Sequence, residues 1–152
     1  MTGKQGVVVH SFLFYFALLI PISALHEFGH GVVCWMEGDT FRIGLTMRGM
    51  WLDCLADVDG NTFFLAIGGV FGLAGSLAII VASRAVRSVA LLTVGLAFSV
   101  DHGAKIFLEG FLTEFYFTST SDIVVTAIQV GSLGGLLWWF IVRQAAVPKA
   151  RS

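Results

Sequence analysis

The chain has 152 residues, which is the length of one domain, so we expect a single membrane-embedded unit over residues 1–152. Hydrophobic residues make up 57% and charged residues 12% of it, whereas soluble domains have about 25% charged residues. This composition makes lipid the expected solvent for most of its surface. The net charge of -1, with no basic stripe, argues against a nucleic-acid partner.

Four apolar segments are long enough to cross a bilayer, whose hydrocarbon core of about 30 Å takes about 20 helical residues. They cover residues 7–35, 61–83, 88–110 and 123–142. The sequence therefore predicts an all-α polytopic membrane protein with about four transmembrane helices. We expect no cleavable signal peptide, because the first apolar run is too long for a signal core.

A polar connector joins the first and second segments. In its first part apolar side chains alternate with polar or small ones, and the apolar members are Phe41, Ile43, Leu45 and Met47. Such alternation is typical of a strand. A second strand-like run covers residues 50–58, and Arg48-Gly49 can turn between the two. We predict a small β-hairpin at the membrane surface, with a plain polar loop as the alternative.

Basic residues are distributed unevenly between the two ends of the four segments. One side would carry Lys4, Arg84, Arg87, Arg143, Lys149 and Arg151. The other side would carry Arg42 and Arg48, while Lys105 lies within the third segment. Because cytoplasmic loops carry the excess of lysine and arginine, this distribution favours both termini in the cytoplasm.

The motif that carries chemistry is His26-Glu27-Phe28-Gly29-His30, near the end of the first segment. Residues four apart share a helical face, so His26 and His30 can bind one zinc ion. Glu27 is placed to reach a metal-activated water and to act as the general base. Ionisable residues inside an apolar span indicate function, and the alternative is three polar groups hydrogen-bonded to neighbouring helices.

A catalytic zinc site takes three protein ligands and a water, so a third ligand is expected from another segment. The third segment offers Asp101, His102, Lys105 and Glu109. At about 1.5 Å per residue from the segment ends, Asp101 lies at the depth of the histidine pair, whereas Glu109 lies nearer the membrane edge. Asp101 is the predicted third ligand. His102 is the alternative, although it points about 100° away around the helix.

Several neighbours bear on this assignment. Lys105 lies four residues after Asp101 and can form an ion pair with it, which would compete with the metal, or extend to the interface. Cys34 and Cys54 form no C-x-x-C motif, and a disulfide between them is compatible with the sequence but not indicated by it. We interpret Cys34 as a packing residue and His10 as an interfacial one.

These features resemble the site-2 protease family of intramembrane zinc metalloproteases. The resemblance rests on the HEFGH motif at 26–30, the strand-like connector, the glycine-rich second segment and Asp101-His102-Gly103. It covers roughly residues 10–110, which would form the metalloprotease core, with residues 123–142 as an accessory helix. The family's third-helix motif is N-x-x-P-x-x-x-x-D-G. Here Thr93, Leu96 and His102 stand where the asparagine, the proline and the final glycine are usual.

The resemblance implies a zinc-dependent endopeptidase with one catalytic Zn²⁺, held by His26, His30 and Asp101. Its partners would be the lipid bilayer and a transmembrane protein substrate, which the connector strands would hold by strand addition. The family's active site generally faces the cytoplasm, whereas the distribution of basic residues places the HEFGH end on the opposite side of the membrane. The alternatives are a membrane metal transporter or sensor, an inactive homologue that serves as a binding scaffold, and a metal-dependent oxidative enzyme.

Overall fold

The computed structural model describes residues 3–46, 49–55 and 61–146. Their helices and strands are, in chain order, α1 (Lys4–Met36), β1 (Phe41–Thr46), β2 (Gly49–Cys54), α2 (Thr62–Ala85), α3 (Val89–Phe111), α4 (Thr113–Tyr116) and α5 (Ser119–Ala146). All the helices except α4 are long and apolar enough to cross a membrane. The predicted all-α architecture with about four spanning helices is confirmed, and each segment bound lies within a few residues of its prediction. The short α4 was not predicted.

The predicted hairpin between the first two long helices is also confirmed. β1 and β2 are antiparallel, with Phe41 opposite Cys54 and Gly44 opposite Trp51. The Trp51 ring covers Gly44 so closely that a Cβ there would lie 2.4 Å from it, so the pair requires glycine. Residues 47–48 of the turn and residues 56–58 of the second predicted run lie outside the described residues.

Capping side chains set the starts of α2 and α3. The Asn61 side chain accepts hydrogen bonds from the backbone N–H groups of Phe63 and Phe64, and Ser88 Oγ accepts one from Leu91. Arg87, between the two helices, has a φ of 52°, which belongs to the left-handed region that tight reversals use. The two helices therefore form an antiparallel pair joined by a very short turn.

Glycines bring α2 close to both α1 and α3. A Cβ on Gly29 would lie 2.9 Å from the carbonyl oxygen of Ile67, and one on Gly69 would lie 2.8 Å from the backbone nitrogen of Ile106. Gly29, near the end of α1, lies against Gly68 near the start of α2, and Ile106, near the end of α3, lies against the adjacent Gly69. α1 and α3 therefore run in the same direction. This parallel arrangement brings the ends of both helices to the same end of the bundle.

The core lies where α1 and α5 pack against α3. Ile22 of α1 packs with Val94 and Phe98 of α3, and all three are buried. A second cluster joins Ala97 of α3 to Leu133 and Leu137 of α5, with Val8 and Tyr15 of α1 packed against it. This second cluster therefore lies near the start of α1.

A disulfide joins Cys34 of α1 to Cys54 of β2, with their Cα atoms 5.8 Å apart. The interpretation of Cys34 as a packing residue is therefore corrected. The pairing arises because the hairpin folds back over the end of α1, where the side chains of Phe41 and Leu52 lie against Gly31. The bond fixes the hairpin one helical turn beyond His30.

Candidate metal centre

α1 directs the side chains of His26 and His30 to one point, as their spacing of four residues predicts. Their Nε2 atoms are 3.3 Å apart. His30 Nδ1 lies 2.7 Å from the carbonyl oxygen of Phe64, to which it can only donate, so Nε2 keeps its lone pair whenever the ring is neutral. A hydrogen bond from the other ring nitrogen to a backbone carbonyl is what orients a metal-binding imidazole.

Glu109 of α3 completes the group. Its Oε2 atom is 3.4 Å from His26 Nε2 and 3.7 Å from His30 Nε2. Within residues 3–46, 49–55 and 61–146, these three are the one set of His, Cys, Asp or Glu whose ligand atoms lie within 4.8 Å of one another. Tetrahedral zinc with bonds of about 2.0–2.1 Å separates its ligand atoms by about 3.3–3.4 Å. The donor set and its spacing therefore fit one zinc ion.

Burial makes this cluster costly unless a cation balances it. His26 is 6% and Glu109 4% exposed. Among the described side chains, His26 Nδ1 and Glu109 Oε1 are buried polar atoms that have no hydrogen-bond partner. Because a buried carboxylate requires compensation, a bound cation would stabilise the arrangement.

Asp101, the predicted third ligand, does not lie with the histidines. Its Oδ2 accepts a hydrogen bond from Gln129 Nε2 of α5 at 3.2 Å and pairs with Lys105 Nζ at 3.5 Å. The ion pair with Lys105, anticipated as a competitor for Asp101, is present. A role for Asp101 as a ligand stays a prediction, and the contacts favour Glu109 in its place.

Helix geometry explains why Glu109 reaches the histidines. At 3.6 residues per turn, Glu109 lies about 20° around α3 from His102 but about 80° from Asp101, so Asp101 faces α5 instead. Side chains also lean toward the start of their helix, which carries the Glu109 carboxylate inward from the helix end. The depth of the Glu109 Cα atom therefore underestimates how far its carboxylate lies from the membrane edge.

His102 lies beside the cluster without joining it. Its ring centroid is 5.4 Å from that of His26. The ring fills the space over Gly72, where a Cβ would lie 2.3 Å from His102 Nδ1. Like His26 Nδ1, the buried Nδ1 of His102 has no hydrogen-bond partner among the described residues. His102 thus packs the wall behind His26, while His10 instead contacts the Gly6 carbonyl oxygen at 2.6 Å.

A cleft of about 860 Å³ lies between α1 and α5 and reaches the cluster at His26. Its walls include His26, Glu27, Met50, Lys105, Tyr116 and Gln129. Glu27 follows His26 in the chain, and its carboxylate also lies against the backbone of Leu52 in β2. Glu27 is therefore next to the zinc-ligand candidates and open to whatever enters the cleft, as its predicted role requires.

Tyr116 and Gln129 were missed in the sequence. Tyr116 of α4 lies beside the Glu109 carboxylate, and burial, followed by that carboxylate, raises the pKa of its phenol well above its ordinary value. It therefore remains a neutral hydroxyl. Gln129 is a polar residue inside an apolar segment, which was a signal available in the sequence, whereas the position of Tyr116 depends on the unpredicted α4.

Comparisons of the chain with protein-family models, with curated proteins and with solved structures find no match. The resemblance to the site-2 protease family accordingly rests on the residues of the site.

Proposed function

We propose that the chain is a multi-pass membrane protein and a zinc-dependent intramembrane endopeptidase. The observation that carries the proposal is the convergence of His26, His30 and Glu109 at zinc-ligand spacing beside Glu27. Two histidines and one glutamate are a donor set that zinc peptidases use, and it leaves a fourth position for water. The prediction of one catalytic Zn²⁺ is kept, with Glu109 proposed as the third ligand.

The proposed reaction hydrolyses a peptide bond. Zinc, when bound, supplies a water of lowered pKa and polarises the scissile carbonyl. Glu27 accepts a proton from the attacking water as the water oxygen bonds to the carbonyl carbon. Glu27 then gives that proton to the amide nitrogen as the C–N bond breaks, so the products are a carboxylic acid and an amine.

The shape of the cleft supports a peptide substrate. Its volume of about 860 Å³ lies in the range of about 300–1,000 Å³ that ligand pockets occupy. It lies between two long apolar helices, and Met50 of β2 forms part of its wall. A substrate helix would have to unwind there, because its backbone carbonyls are already hydrogen-bonded. Strand addition to the hairpin would hold the unwound segment extended.

Two independent features favour an extracytoplasmic site. Among the residues that the structure describes, Lys4, Arg84, Arg87 and Arg143 lie at the end away from HEFGH, whereas Arg42 lies near it. The Cys34–Cys54 disulfide lies at the same end as the metal cluster, and disulfides persist in oxidising compartments. We therefore orient the catalytic end away from the cytoplasm, unlike the orientation that the family resemblance implies.

The test compares Glu27→Gln with the wild type in detergent or vesicles. Zinc per chain is measured, together with cleavage of a model transmembrane substrate. We expect the variant to keep its zinc and to lose cleavage by about 10²–10⁴-fold, the usual contribution of a general base. Glu37→Gln, at an exposed position beyond the end of α1, is the matched control and should cleave normally.

Equal cleavage by the Glu27→Gln variant and the wild type would refute the peptidase proposal. Zinc bound by both proteins without cleavage by either would favour the metal transporter or sensor instead. A wild type that binds no zinc and cleaves nothing would favour the inactive scaffold.

A further inference from the structure

We infer that Lys105 is a catalytic group whose ammonium stabilises the negative charge that develops on the scissile carbonyl oxygen, and that Asp101 and Gln129 are positioning residues for it. This inference rests on the proposed peptidase function. It assigns a use to Asp101 of α3 and Gln129 of α5, which do not join the metal cluster.

The first observation is the placement of Lys105 on α3. It lies one turn after Asp101 and one turn before Glu109, about 40° around the helix from each. Asp101, on one side of Lys105, contacts α5, and Glu109, on the other side, is the proposed zinc ligand. Lys105 therefore occupies the part of the α3 surface that faces the cleft between α1 and α5.

The second observation is that the ammonium is held in place. Lys105 Nζ is 3.5 Å from Asp101 Oδ2, and that oxygen also accepts a hydrogen bond from Gln129 Nε2 at 3.2 Å. The Asp101 side chain is 4% exposed, so the carboxylate that anchors the cation is itself fixed by packing. A long side chain that is held by a buried acceptor is preorganised, in contrast to a lysine that extends freely to the interface.

The third observation is the shared cleft. Lys105 lines it together with His26 and Glu27. Its charge also acts on the carboxylates of both Glu27 and Glu109. A peptide carbonyl in this cleft can be attacked by the water that Glu27 deprotonates. The Lys105 cation then lies near enough to act on the charge of that carbonyl oxygen. An intramembrane lysine is costly, so its fixed position at the reaction site indicates a role.

The chemistry balances without another reactant. As the water oxygen bonds to the carbonyl carbon, the π electron pair of the carbonyl moves onto its oxygen, and the ammonium stabilises this charge. When the C–N bond breaks, the pair on oxygen restores the carbonyl, and the nitrogen takes the proton that Glu27 holds. Lys105 keeps its own protons throughout and acts by charge and hydrogen bonding.

The variants Lys105→Gln, Lys105→Arg and Asp101→Asn/Lys105→Gln test the inference in the full chain. Lys105→Gln should lower kcat by about 10²–10³-fold, which is the usual effect of losing one oxyanion donor, with zinc content and KM little changed. Lys105→Arg keeps the charge and should retain more activity. The double variant avoids leaving Asp101 as a buried unpaired carboxylate, so its fold is protected.

The double variant separates catalysis from structure. If Lys105 only neutralises Asp101, removing both charges should restore wild-type kcat, and that result would overturn the inference. If Lys105 stabilises the oxyanion, the double variant stays as slow as Lys105→Gln. Asp101→Asn alone leaves the cation in place but less well held, so it should lower kcat less than Lys105→Gln does.

Inhibitor binding gives a readout besides activity. A phosphinic peptide, which replaces the scissile amide by a tetrahedral anion, should lose affinity in Lys105→Gln by about the factor lost in kcat/KM. Binding of the uncleaved substrate, measured with Glu27→Gln in the background, should not change. Equal losses for both ligands would mean that Lys105 contributes only uniform binding, and this would contradict the inference.

The two proposals fail in different ways. If the wild type does not cleave, or Glu27→Gln cleaves as fast as the wild type, the peptidase proposal itself fails. If the wild type cleaves, Glu27→Gln does not, and Lys105→Gln retains normal kcat and inhibitor affinity, only the role of Lys105 is refuted.

Discussion

The carboxylate of Glu109 lies 3.4 Å from Nε2 of His26, so that α3 and α1 meet at two buried groups of opposite potential charge. The two residues are far apart in the chain, and the contact exists because α1 and α3 run in the same direction and pack against each other as well as against α2. A shared cation would balance the charge of this buried carboxylate. The pair therefore gives the most direct test of metal binding.

Glu109→Gln should weaken zinc binding by about 100-fold or more, because losing even a group that only hydrogen-bonds to a metal ligand typically costs about 10–100-fold in metal affinity. Asp101→Asn is the matched control. It makes the same carboxylate-to-amide change on the same helix, but at a residue that contacts Lys105 and Gln129. Competition with a chelator of known zinc affinity measures both variants. Loss of zinc in Asp101→Asn but not in Glu109→Gln would restore Asp101 as the third ligand.

Gly68→Ala should displace His30 and remove zinc. A Cβ on Gly68 would lie 2.2 Å from His30 Nε2, the proposed ligand atom, so the imidazole could not keep its place. Gly134→Ala is the control, because a Cβ there meets no atom within 4 Å. Zinc content and cleavage should fall in the first variant and stay normal in the second. Full zinc occupancy in Gly68→Ala would show that His30 does not bind the metal through Nε2.

The parts of this site that were predictable are those that local geometry determines. Spans follow from the length of apolar runs. The convergence of His26 and His30 follows from the rise and rotation of one helix. Neither the spans nor this convergence depends on how the helices pack. The hairpin was predictable for the same reason, because alternation of side chains is a property of the strand alone.

The third ligand was not predictable, because it depends on the rotation of α3 relative to its neighbours. Asp101 and Glu109 are both carboxylates on one helix, and the contacts of Glu109 with the histidines and of Asp101 with Gln129 show which of them faces the cluster. The Cys34–Cys54 bond likewise depends on the hairpin folding back over α1. Tertiary contacts of this kind leave no periodic pattern in a single sequence.

The proposed orientation can be tested in intact cells. In a background in which Cys34 and Cys54 are changed to serine, Glu37→Cys and Lys4→Cys place single thiols at exposed positions near opposite ends of α1. A membrane-impermeant maleimide should label the Glu37→Cys protein and not the Lys4→Cys protein, because the metal-cluster end is assigned to the outside. Permeabilised cells, in which both should react, serve as the control. The reverse labelling would place the site toward the cytoplasm.

Breaking the disulfide should impair substrate binding more than metal binding. Cys34 and Cys54 are 20 residues apart, and a cross-link over a loop of that size is worth about 3 kcal/mol in chain-entropy terms. Its loss should free the hairpin, whose Met50 lines the cleft, while the zinc ligands stay on α1 and α3. The paired change Cys34→Ser/Cys54→Ser should therefore raise KM and leave zinc per chain unchanged. An unchanged KM would mean that the hairpin does not hold the substrate, and a loss of zinc would mean that the disulfide instead supports the metal centre.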